Sequence, residues 1–432
     1  MQNTTKKYRW TICGLVFLAT TINYLDRAVI SLLKPILEKE FAWSETDYGN
    51  LVILFNLSYA IGMLGVGRVI DKLGTKKGYA LATTLWSLSA MAHALATSTF
   101  GFGIARSLLG ITESGNFPSA IKTIAEWFPK KERALATGIF NSGTNIGAII
   151  APLTVPFIAV VWGWQWAFVL TGAIGFIWLI LWYMMYETPE KHTQLSSEEL
   201  AYIQQTESAD EEIREENSHP ASWAKLLTFK QTWAFVIGKF LTDPVWWFYL
   251  FWLPAFLSAE YGLQKTDIAI PVALVYTIST AGSIFGGYLP LYFSNKGWTI
   301  FRSRKIAMLL YALAALPAIF AQLAGGINMW LAVGIIGLAC SAHQAWSANI
   351  FTTVSDLFPK KTIASVTGIG GMAGALGGVV IATIGPRLFD YYKALGSIQT
   401  GYYILFLYCG CAYLLAWLVM HLLVPKMKKV II

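Results

Sequence analysis

Phe128-Pro-Lys-Lys131 and Phe358-Pro-Lys-Lys361 are the same four residues, 230 positions apart. At the same offset, Thr137-Gly-Ile139 returns as Thr367-Gly-Ile369. A repeat that keeps one offset over so many positions predicts two halves built in the same order and direction. In a membrane protein, parallel repeats of this kind are related by an axis along the membrane normal, and a substrate site lies between them near mid-membrane.

The composition indicates an all-α membrane protein. Of the 432 residues, 56% are hydrophobic and 13% are charged, about half the charged share of ~25% in a soluble domain. The mean hydropathy is +0.53. We predict twelve transmembrane helices, six in residues 1–186 and six in residues 231–432, joined by a solvated connector over residues 187–230 with some helix. The predicted spans lie near residues 10–30, 46–70, 78–98, 100–123, 133–159, 165–186, 231–258, 268–293, 304–324, 327–355, 363–388 and 400–424.

Lysine and arginine cluster in alternate loops and at both termini. If the spans alternate, all of these clusters lie on one side, and the positive-inside rule makes that side the cytoplasm. We therefore expect a multi-pass protein of the cell inner (plasma) membrane, with both termini and the connector, including its acidic stretch Asp210–Glu216, in the cytoplasm. The first apolar run, from about Trp10, is too long for a signal peptide and should remain as the first span. The net charge of +8 belongs to these loops, so it does not indicate nucleic-acid binding.

Six charged residues fall inside the predicted spans. A charge at the bilayer centre costs ~2.5–3.5 kcal/mol on insertion scales, so such residues usually line a polar cavity and have a function. Three are positive and three negative, which makes the set neutral. A neutral set in lipid accepts an anion most cheaply if a proton enters with it. The six residues are Asp26, Arg27, Arg106, Glu113, Lys239 and Asp243.

The spacing of the first four limits how they can pair. Asp26 and Arg27 are adjacent and point ~100° apart on a helix, and Arg106 lies ~10.5 Å along the helix from Glu113. Each therefore needs a partner on another helix. We expect Arg106 near a carboxylate and Arg27 facing the cavity, where its guanidinium suits a substrate carboxylate. A carboxyl group that gains and loses an arginine partner would load and release a proton. The alternative is a static network that holds the helices together.

Lys239 and Asp243 are four residues apart and can pair on one helix face. Lys239 is either a second cation for the anion or one member of a self-satisfied pair, and Pro244 should break or bend the helix beside them. Aromatic rings with polar edges suit the C–H face and the hydroxyls of a sugar, although tryptophans also collect at membrane interfaces. Further cavity candidates are Tyr24, Trp246, Trp247, Asn141, Thr144, Asn145, His343, Gln344 and Asn349. His343 has a simpler interpretation as a neutral, hydrogen-bonded histidine.

Residues 65–77, Gly65-Val-Gly-Arg68-Val-Ile-Asp71-Lys-Leu-Gly-Thr-Lys-Lys77, resemble the loop signature of the major facilitator superfamily. Asn23-Tyr-Leu-Asp-Arg27 and the run from Arg106 to Pro118 are similar to its anion:cation symporter branch. Within that branch the segments 239–247 and 342–345 resemble bacterial hexuronate transporters. Thr144, flanked by Asn141 and Asn145, stands where sugar-acid relatives can carry a glutamine.

The resemblance implies roles for several residues. Asp26 and Glu113 would couple protons, with Arg106 controlling them. Gly65, Arg68 and Asp71 belong to the signature, and Arg68 and Asp71 would lock the cytoplasmic side closed.

These observations predict a proton-coupled symporter that brings a hexuronate, galacturonate or glucuronate, into the cell by alternating access, with sodium as a possible coupling ion. The alternatives are a carrier of another organic anion, such as galactonate, glucarate or a dicarboxylate, and a non-transporting sensor on the same fold. We expect a monomer and neither an enzyme nor a cofactor or metal, because no nucleotide loop, metal cluster or nucleophile set is visible. The four cysteines, interpreted as core residues, are Cys13, Cys340, Cys409 and Cys411.

Overall fold

A computed structural model describes residues 7–204, 221–263, 267, 269–426 and 428–431. This part of the chain is helical, and its sixteen α-helices make the twelve passes that the sequence predicts. The acidic stretch Asp210–Glu216 lies outside the described residues.

The first half contains α1 to α7. Their bounds are Tyr8–Phe41, Glu45–Leu73, Thr75–Ala92, Thr99–Glu113, Asn116–Trp127, Arg133–Trp162 and Trp164–Met185. Two short helices, α8 and α9, lie in the connector at Ser197–Gln204 and Trp223–Leu226. The second half contains α10 to α16, with bounds Lys230–Tyr261, Ala269–Asn295, Ile300–Ala315, Ala321–Ile327, Met329–Leu357, Ile363–Ala394 and Ile398–Leu423.

Nine stretches of the described chain are long and apolar enough to cross a membrane. The remaining passes are α3, the α4–α5 pair and α10. Three predicted spans are interrupted. The third ends in a 3₁₀ turn at His93–Leu95, the fourth breaks after Glu113, and the ninth passes through a 3₁₀ turn at Leu316–Phe320. The break after Glu113 matters, because it leaves that carboxylate at the end of a helix.

Local sequence explains several helix ends. Ser44 accepts a hydrogen bond from the Asp47 amide at 3.1 Å, and Asp47 accepts one from the Ser44 amide at 2.9 Å, which starts α2 with a capping box. Gly74, with a φ of 80°, allows the tight turn from α2 into α3. Pro244 was expected to break or bend its helix, and the break does not occur, because α10 continues through it. Membrane helices tolerate proline where neighbouring groups satisfy the backbone.

The halves contact each other through two matching helix pairs. In one pair α2 packs against α15, and a Cβ atom on Gly67 would overlap the carbonyl oxygen of Ala364. In the other pair α11 packs against α6, and a Cβ atom on Gly287 would overlap the carbonyl oxygen of Ala134. Glycine permits this close approach. The pairs are equivalent by the repeat, since Ala134 and Ala364 are 230 positions apart.

Two expectations about polar and small residues need correction. The connector is not solvated throughout: Glu199 is buried and accepts hydrogen bonds from Arg9 and from the Tyr8 amide. Cys411 is exposed on the outer surface, whereas Cys13, Cys340 and Cys409 are buried as expected. Large apolar side chains are also exposed around the bundle. A lipid environment would cover this surface, so an exposed thiol is compatible with it.

Candidate functional site between the halves

A central cavity lies between the halves. It has two neighbouring compartments, an inner one of about 610 Å³ and an outer one of about 1100 Å³. Five residues line both: Tyr24, Arg27, Thr144, Trp246 and Trp247. The inner compartment is also lined by Asn141, Lys239, His343 and Gln344, and the outer one by Asn145 and Arg106. Most of the residues expected to bind substrate are therefore brought together, although they come from both halves.

Arg27 is the main cation at the junction of the compartments. Its Nε donates to Glu113 Oε2 at 3.0 Å, and its guanidinium carbon lies 4.5 Å from the ring centre of Tyr24 and 4.8 Å from that of Tyr59. Such a cage of rings stabilises a cation through their π faces. We expected Arg27 to face the cavity, which it does, but not to bond to a carboxylate of the same half. The break after Glu113 turns its carboxylate toward α1, so Arg27 takes it.

Arg106 is buried without an ionic hydrogen bond among the described residues. Its Nε and Nη1 atoms have no hydrogen-bond partner, and its guanidinium carbon lies 4.3 Å from the ring centre of Phe55. Unmade hydrogen bonds of a buried group are costly. Arg106 therefore has unused hydrogen-bond donors, lines the outer compartment and lies within electrostatic range of Glu113.

Asp26 is buried inside the first half and lines neither compartment. Among the described residues, neither carboxylate oxygen has a hydrogen-bond partner. The hydroxyl of Thr171 lies nearby, but it donates to the carbonyl oxygen of Ala167 at 3.0 Å. A carboxylate anion without partners is very expensive in such a setting, and the neutral acid avoids most of that cost.

Lys239 and Asp243 form the expected pair, with Nζ and Oδ2 2.7 Å apart. The Lys239 ammonium also lies 4.2 Å from the ring centre of Phe351, and both charged residues line the inner compartment. Gly374 makes room for the carboxylate, because a Cβ atom there would overlap Asp243 Oδ2. The pair is thus satisfied internally and also accessible to a ligand, so both earlier interpretations of Lys239 remain possible.

The second half supplies an aromatic wall. Trp246 and His343 are stacked, with ring centres 5.2 Å apart and an interplanar angle of 12°. The Nδ1 atom of His343 is 2.7 Å from the Tyr413 hydroxyl. That bond leaves Nε2 as the ring nitrogen free to meet a ligand hydroxyl.

Amides join the two halves at the base of the cavity. Asn141 Nδ2 donates to Gln344 Oε1 at 2.6 Å, and Gln344 Nε2 donates to Asn145 Oδ1 at 3.5 Å. Asn349 is a correction: it lines neither compartment, and its Nδ2 donates to the carbonyl oxygens of Gly286 and Ala345, both at 2.8 Å. On the helix it faces α11 rather than the cavity.

Several cavity residues were missed by the sequence reasoning. They are aromatic residues, and none of them carries a charge that would mark it out in an apolar span. With 25 phenylalanines and 20 tyrosines in the chain, composition gives no means of choosing among them. The missed residues include Tyr48, Phe55, Tyr59, Phe117, Tyr276 and Phe351.

The end of the molecule that carries the basic loops, here called the basic end, is closed by Asp71. Its carboxylate accepts hydrogen bonds from the Ser365 amide at 2.7 Å, the Ser365 hydroxyl at 2.6 Å and the Ala364 amide at 3.3 Å. It also pairs with Lys122 at 2.9 Å. An acid of the first half therefore caps the first turn of α15 in the second half.

The other two signature residues behave differently. Arg68 lies with its guanidinium carbon 5.5 Å from the ring centre of Trp223 in the connector, and its Nε has no hydrogen-bond partner. Gly65 is exposed, with open space around it. Asp71 is therefore the signature residue that joins the two halves by hydrogen bonds.

Further bonds between the halves also lie at the basic end. Arg133 Nη1 donates to the Ser355 carbonyl oxygen at 2.6 Å, and Arg304 Nη2 donates to the Lys130 carbonyl oxygen at 2.7 Å. Nearer the amides, the Ser283 hydroxyl of the second half donates to the Gly138 carbonyl oxygen of the first half at 2.8 Å. The basic end is therefore closed, and the larger outer compartment lies toward the opposite end.

The chain belongs to the Major Facilitator Superfamily, whose family description matches residues 16–382. It is thus a multi-pass membrane transporter and not an enzyme. It is 33% identical over 387 residues to a hexuronate transporter of Escherichia coli, covering 89% of this chain and 88% of that protein. It is 34% identical over 341 residues to a galacturonate transporter of Dickeya chrysanthemi, covering 79% and 96%. A probable galactarate/D-glucarate transporter of Escherichia coli is 27% identical, covering 98% and 96%.

Solved structures show the same fold. The proton:xylose symporter XylE matches with a TM-score of 0.78 at 18% identity, covering 99% of this chain and 98% of that one. The fucose transporter FucP in the outward conformation matches with a TM-score of 0.70 at 15% identity, covering 98% and 100%. These likenesses confirm the predicted fold class.

Proposed function

We propose that this protein is a proton-coupled symporter that carries a hexuronate, galacturonate or glucuronate, into the cell by alternating access. Two of its relatives are named as transporters of hexuronate or galacturonate, and the central cavity offers basic side chains beside an aromatic wall. The observation that carries the proposal is the Arg27–Glu113 pair: Arg27 lines the cavity, whereas Glu113 is fully buried behind it.

Competition for Arg27 supplies the coupling. A substrate carboxylate that binds the guanidinium in the bidentate geometry draws it away from Glu113. Glu113 then becomes a buried anion without its hydrogen-bonded partner, which favours its protonation. Substrate binding and proton uptake thus assist each other, and release of one favours release of the other.

Asp26 and Arg106 supply a second proton step. Asp26 is neutral while the basic end is closed, since its carboxylate oxygens accept no hydrogen bond among the described residues. Arg106, with two unpartnered nitrogens, can approach a carboxylate as the helices move. Two protons with one monoanion carry one positive charge inward, worth ~2.3 kcal/mol per 100 mV of membrane potential. Uptake should therefore be electrogenic.

The sugar ring lies against the second half. Trp246 and Trp247 present flat faces to its C–H groups, while His343, Gln344 and Asn141 offer hydrogen bonds to its hydroxyls. The basic end faces the cytoplasm, in accord with the positive-inside rule, and both termini lie on that side of the inner membrane. Opening then requires the cap of Asp71 on α15 to break.

A second candidate substrate is a sugar diacid such as galactarate. Lys239 is a second cation on the inner compartment, and its pairing with Asp243 resembles the pairing of Arg27 with Glu113. A diacid could displace both carboxylates, whereas a hexuronate displaces one. The similarity to the galactarate/D-glucarate transporter favours the same possibility.

The test is uptake of labelled galacturonate, glucuronate and galactarate into proteoliposomes, with and without an inward pH gradient. We expect a hexuronate to accumulate only with the gradient, and preference for galactarate would select the second candidate. Glu113→Gln should abolish accumulation but retain exchange of substrate for substrate. Glu198→Gln, on an exposed connector carboxylate, is the matched control. If both Glu113→Gln and Asp26→Asn still concentrate substrate, the coupling mechanism is wrong.

A further inference from the structure

A separate cavity of about 610 Å³ lies inside the second half at the basic end, among α10, α12, α14 and α16. It shares no lining residue with either compartment of the central cavity. Its walls are mainly apolar, so it suits a hydrocarbon rather than a sugar. The larger side chains of these walls are Phe235, Phe301, Met308, Leu357, Trp417 and Met420.

Three charged residues line this second-half cavity: Arg304, Lys305 and Asp356. Two positive charges and one negative charge leave a net charge of +1. Lys305 is already bonded, since its Nζ donates to the carbonyl oxygens of Val424 at 3.0 Å and Pro425 at 3.3 Å.

Arg304 is only partly satisfied. Its Nε and Nη2 donate to Asp356, and Nη2 donates across to the Lys130 carbonyl oxygen. The third nitrogen, Nη1, is buried and has no hydrogen-bond partner in the part of the chain that the structure describes, and the residue is 4% exposed. A buried charged donor that makes no hydrogen bond costs more free energy than a neutral one. An anion placed on Nη1 would remove that cost and neutralise the cavity.

The end of the chain bridges two residues of the cavity wall. Gln231 on α10 donates to the Lys428 carbonyl oxygen at 3.0 Å, and the Val430 amide donates to the Leu357 carbonyl oxygen on α14 at 2.9 Å. Val430 is buried, with 5% of its surface exposed. The tail thus shields the cavity at the basic end.

We propose that this cavity is a binding site for an amphiphilic monoanion, an alkyl carboxylate whose head group bonds to Arg304 Nη1 and whose single chain packs between Phe235, Met308 and Trp417. The net charge of the lining selects one negative charge, and the apolar walls select the chain. A neutral alkane would leave Nη1 unpaired, and a sugar acid would bring hydroxyls against walls without partners. Because Arg304 also joins the halves through Lys130, an occupant acts where the basic end closes.

The site can be tested by photolabelling the full-length protein in phosphatidylcholine nanodiscs. The probe is a twelve-carbon carboxylate with a diazirine at the chain end. We expect saturable labelling of the peptides that contain Met308 and Met420. Dodecanoate should displace the label, whereas galacturonate should not. Dodecanol, with the same chain and no charge, should compete about tenfold or more weakly.

Variants separate this site from general partition into lipid. Arg304→Gln should reduce labelling about tenfold or more. Since that change also removes a bond between the halves, Ala234→Leu provides a second variant that fills the cavity and leaves the charges in place. Arg302→Gln, an exposed arginine two positions away that does not line the cavity, should label normally. A chain ending at Lys426 should label faster.

Two results would overturn the proposal. One is labelling that is unchanged in both Arg304→Gln and Ala234→Leu, which would place the probe on the lipid-facing surface. The other is loss of labelling in phosphatidylglycerol nanodiscs but not in phosphatidylcholine nanodiscs, which would make an anionic lipid the occupant instead.

Discussion

At positions that are equivalent by the repeat, one half has an ion pair and the other half has a pair of stacked aromatic rings. The carbonyl oxygens of Thr21 and Phe240 occupy the same place against Gly147 and Gly377, so α1 and α10 are offset by 240 − 21 = 219 positions. Arg27 then corresponds to 27 + 219 = 246, a tryptophan. Glu113 corresponds to 113 + 230 = 343, a histidine.

The same two positions are in contact in both halves. In the first half they form the Arg27–Glu113 hydrogen bond of 3.0 Å, and in the second half the Trp246–His343 stack with ring centres 5.2 Å apart. Equivalent positions therefore hold two chemistries, although α4 ends at Glu113 and α14 continues through His343. The charged pair can respond to a proton and a carboxylate, while the stack offers a flat face that stays the same at any proton potential.

The helix pairs that close the basic end differ in the same way. In the α2–α15 pair Asp71 caps α15, whereas the equivalent place in the α11–α6 pair is 71 + 220 = 291, a leucine. The offset of 220 follows from Gly67 and Gly287, which make matching close approaches. Closure at this end thus depends on a carboxylate in one pair and on packing in the other.

The largest effect should come from breaking the ion pair. Arg27→Gln leaves Glu113 without its hydrogen-bonded partner and removes the expected anchor for the substrate carboxylate. A loss of 2–5 kcal/mol is typical for such a buried charged bond, so kcat/KM for uptake should fall about 100-fold or more. Arg302→Gln is the control for loss of a positive charge. Uptake within threefold of the unmodified protein would show that Arg27 is not the anchor.

Removing the aromatic counterpart should have a smaller and different effect. Trp246→Ala should raise the KM for the hexuronate about tenfold, because a stacking face is lost, and leave the ratio of protons to substrate unchanged. Trp246→Phe should restore part of the affinity. The measurement pairs uptake kinetics with the current-to-flux ratio. A changed ratio would contradict the division of labour between the halves.

Asp71→Asn should weaken closure of the basic end about fivefold, since a charged helix cap contributes about 1 kcal/mol. Met63 lines the inner compartment, so Met63→Cys places a thiol there. The readout is the reactivity of that thiol toward a reagent applied from the basic side. Leu291→Asn makes the matching change in the other helix pair and should have little effect. Equal effects of the two variants would remove the asymmetry.

The smallest effect concerns the connector. A hydrogen bond from Lys76 lowers the pKa of the Glu187 carboxyl, and the pair is partly exposed, so its contribution stays below about 1 kcal/mol. Because the folded-state pKa is depressed, the stabilisation is present above the ordinary glutamate pKa and disappears as the pH falls through the lowered value. Glu187→Gln should thus lower Tm slightly at pH 7 and leave it unchanged near pH 3. An equal shift at both pH values would point to packing instead.

The sequence by itself determined the class of fold. Span length, hydropathy and the repeat at Phe128 and Phe358 depend on local composition and on an offset, so the passes and their order could be predicted. The charged residues could be found in the same way, because lipid makes every buried charge conspicuous.

Only the tertiary structure decided which charges meet. Arg27 rather than Arg106 forms the ion pair with Glu113. Asp26 has no hydrogen-bond partner among the described residues, and the Asn349 amide donates to the Gly286 carbonyl oxygen. These outcomes depend on the rotation of each helix about its axis and on the break after Glu113. Neither can be predicted from the length and hydropathy of a span. Partner choice is a property of three-dimensional distances, and side chains on different helices acquire those distances only when the bundle has packed.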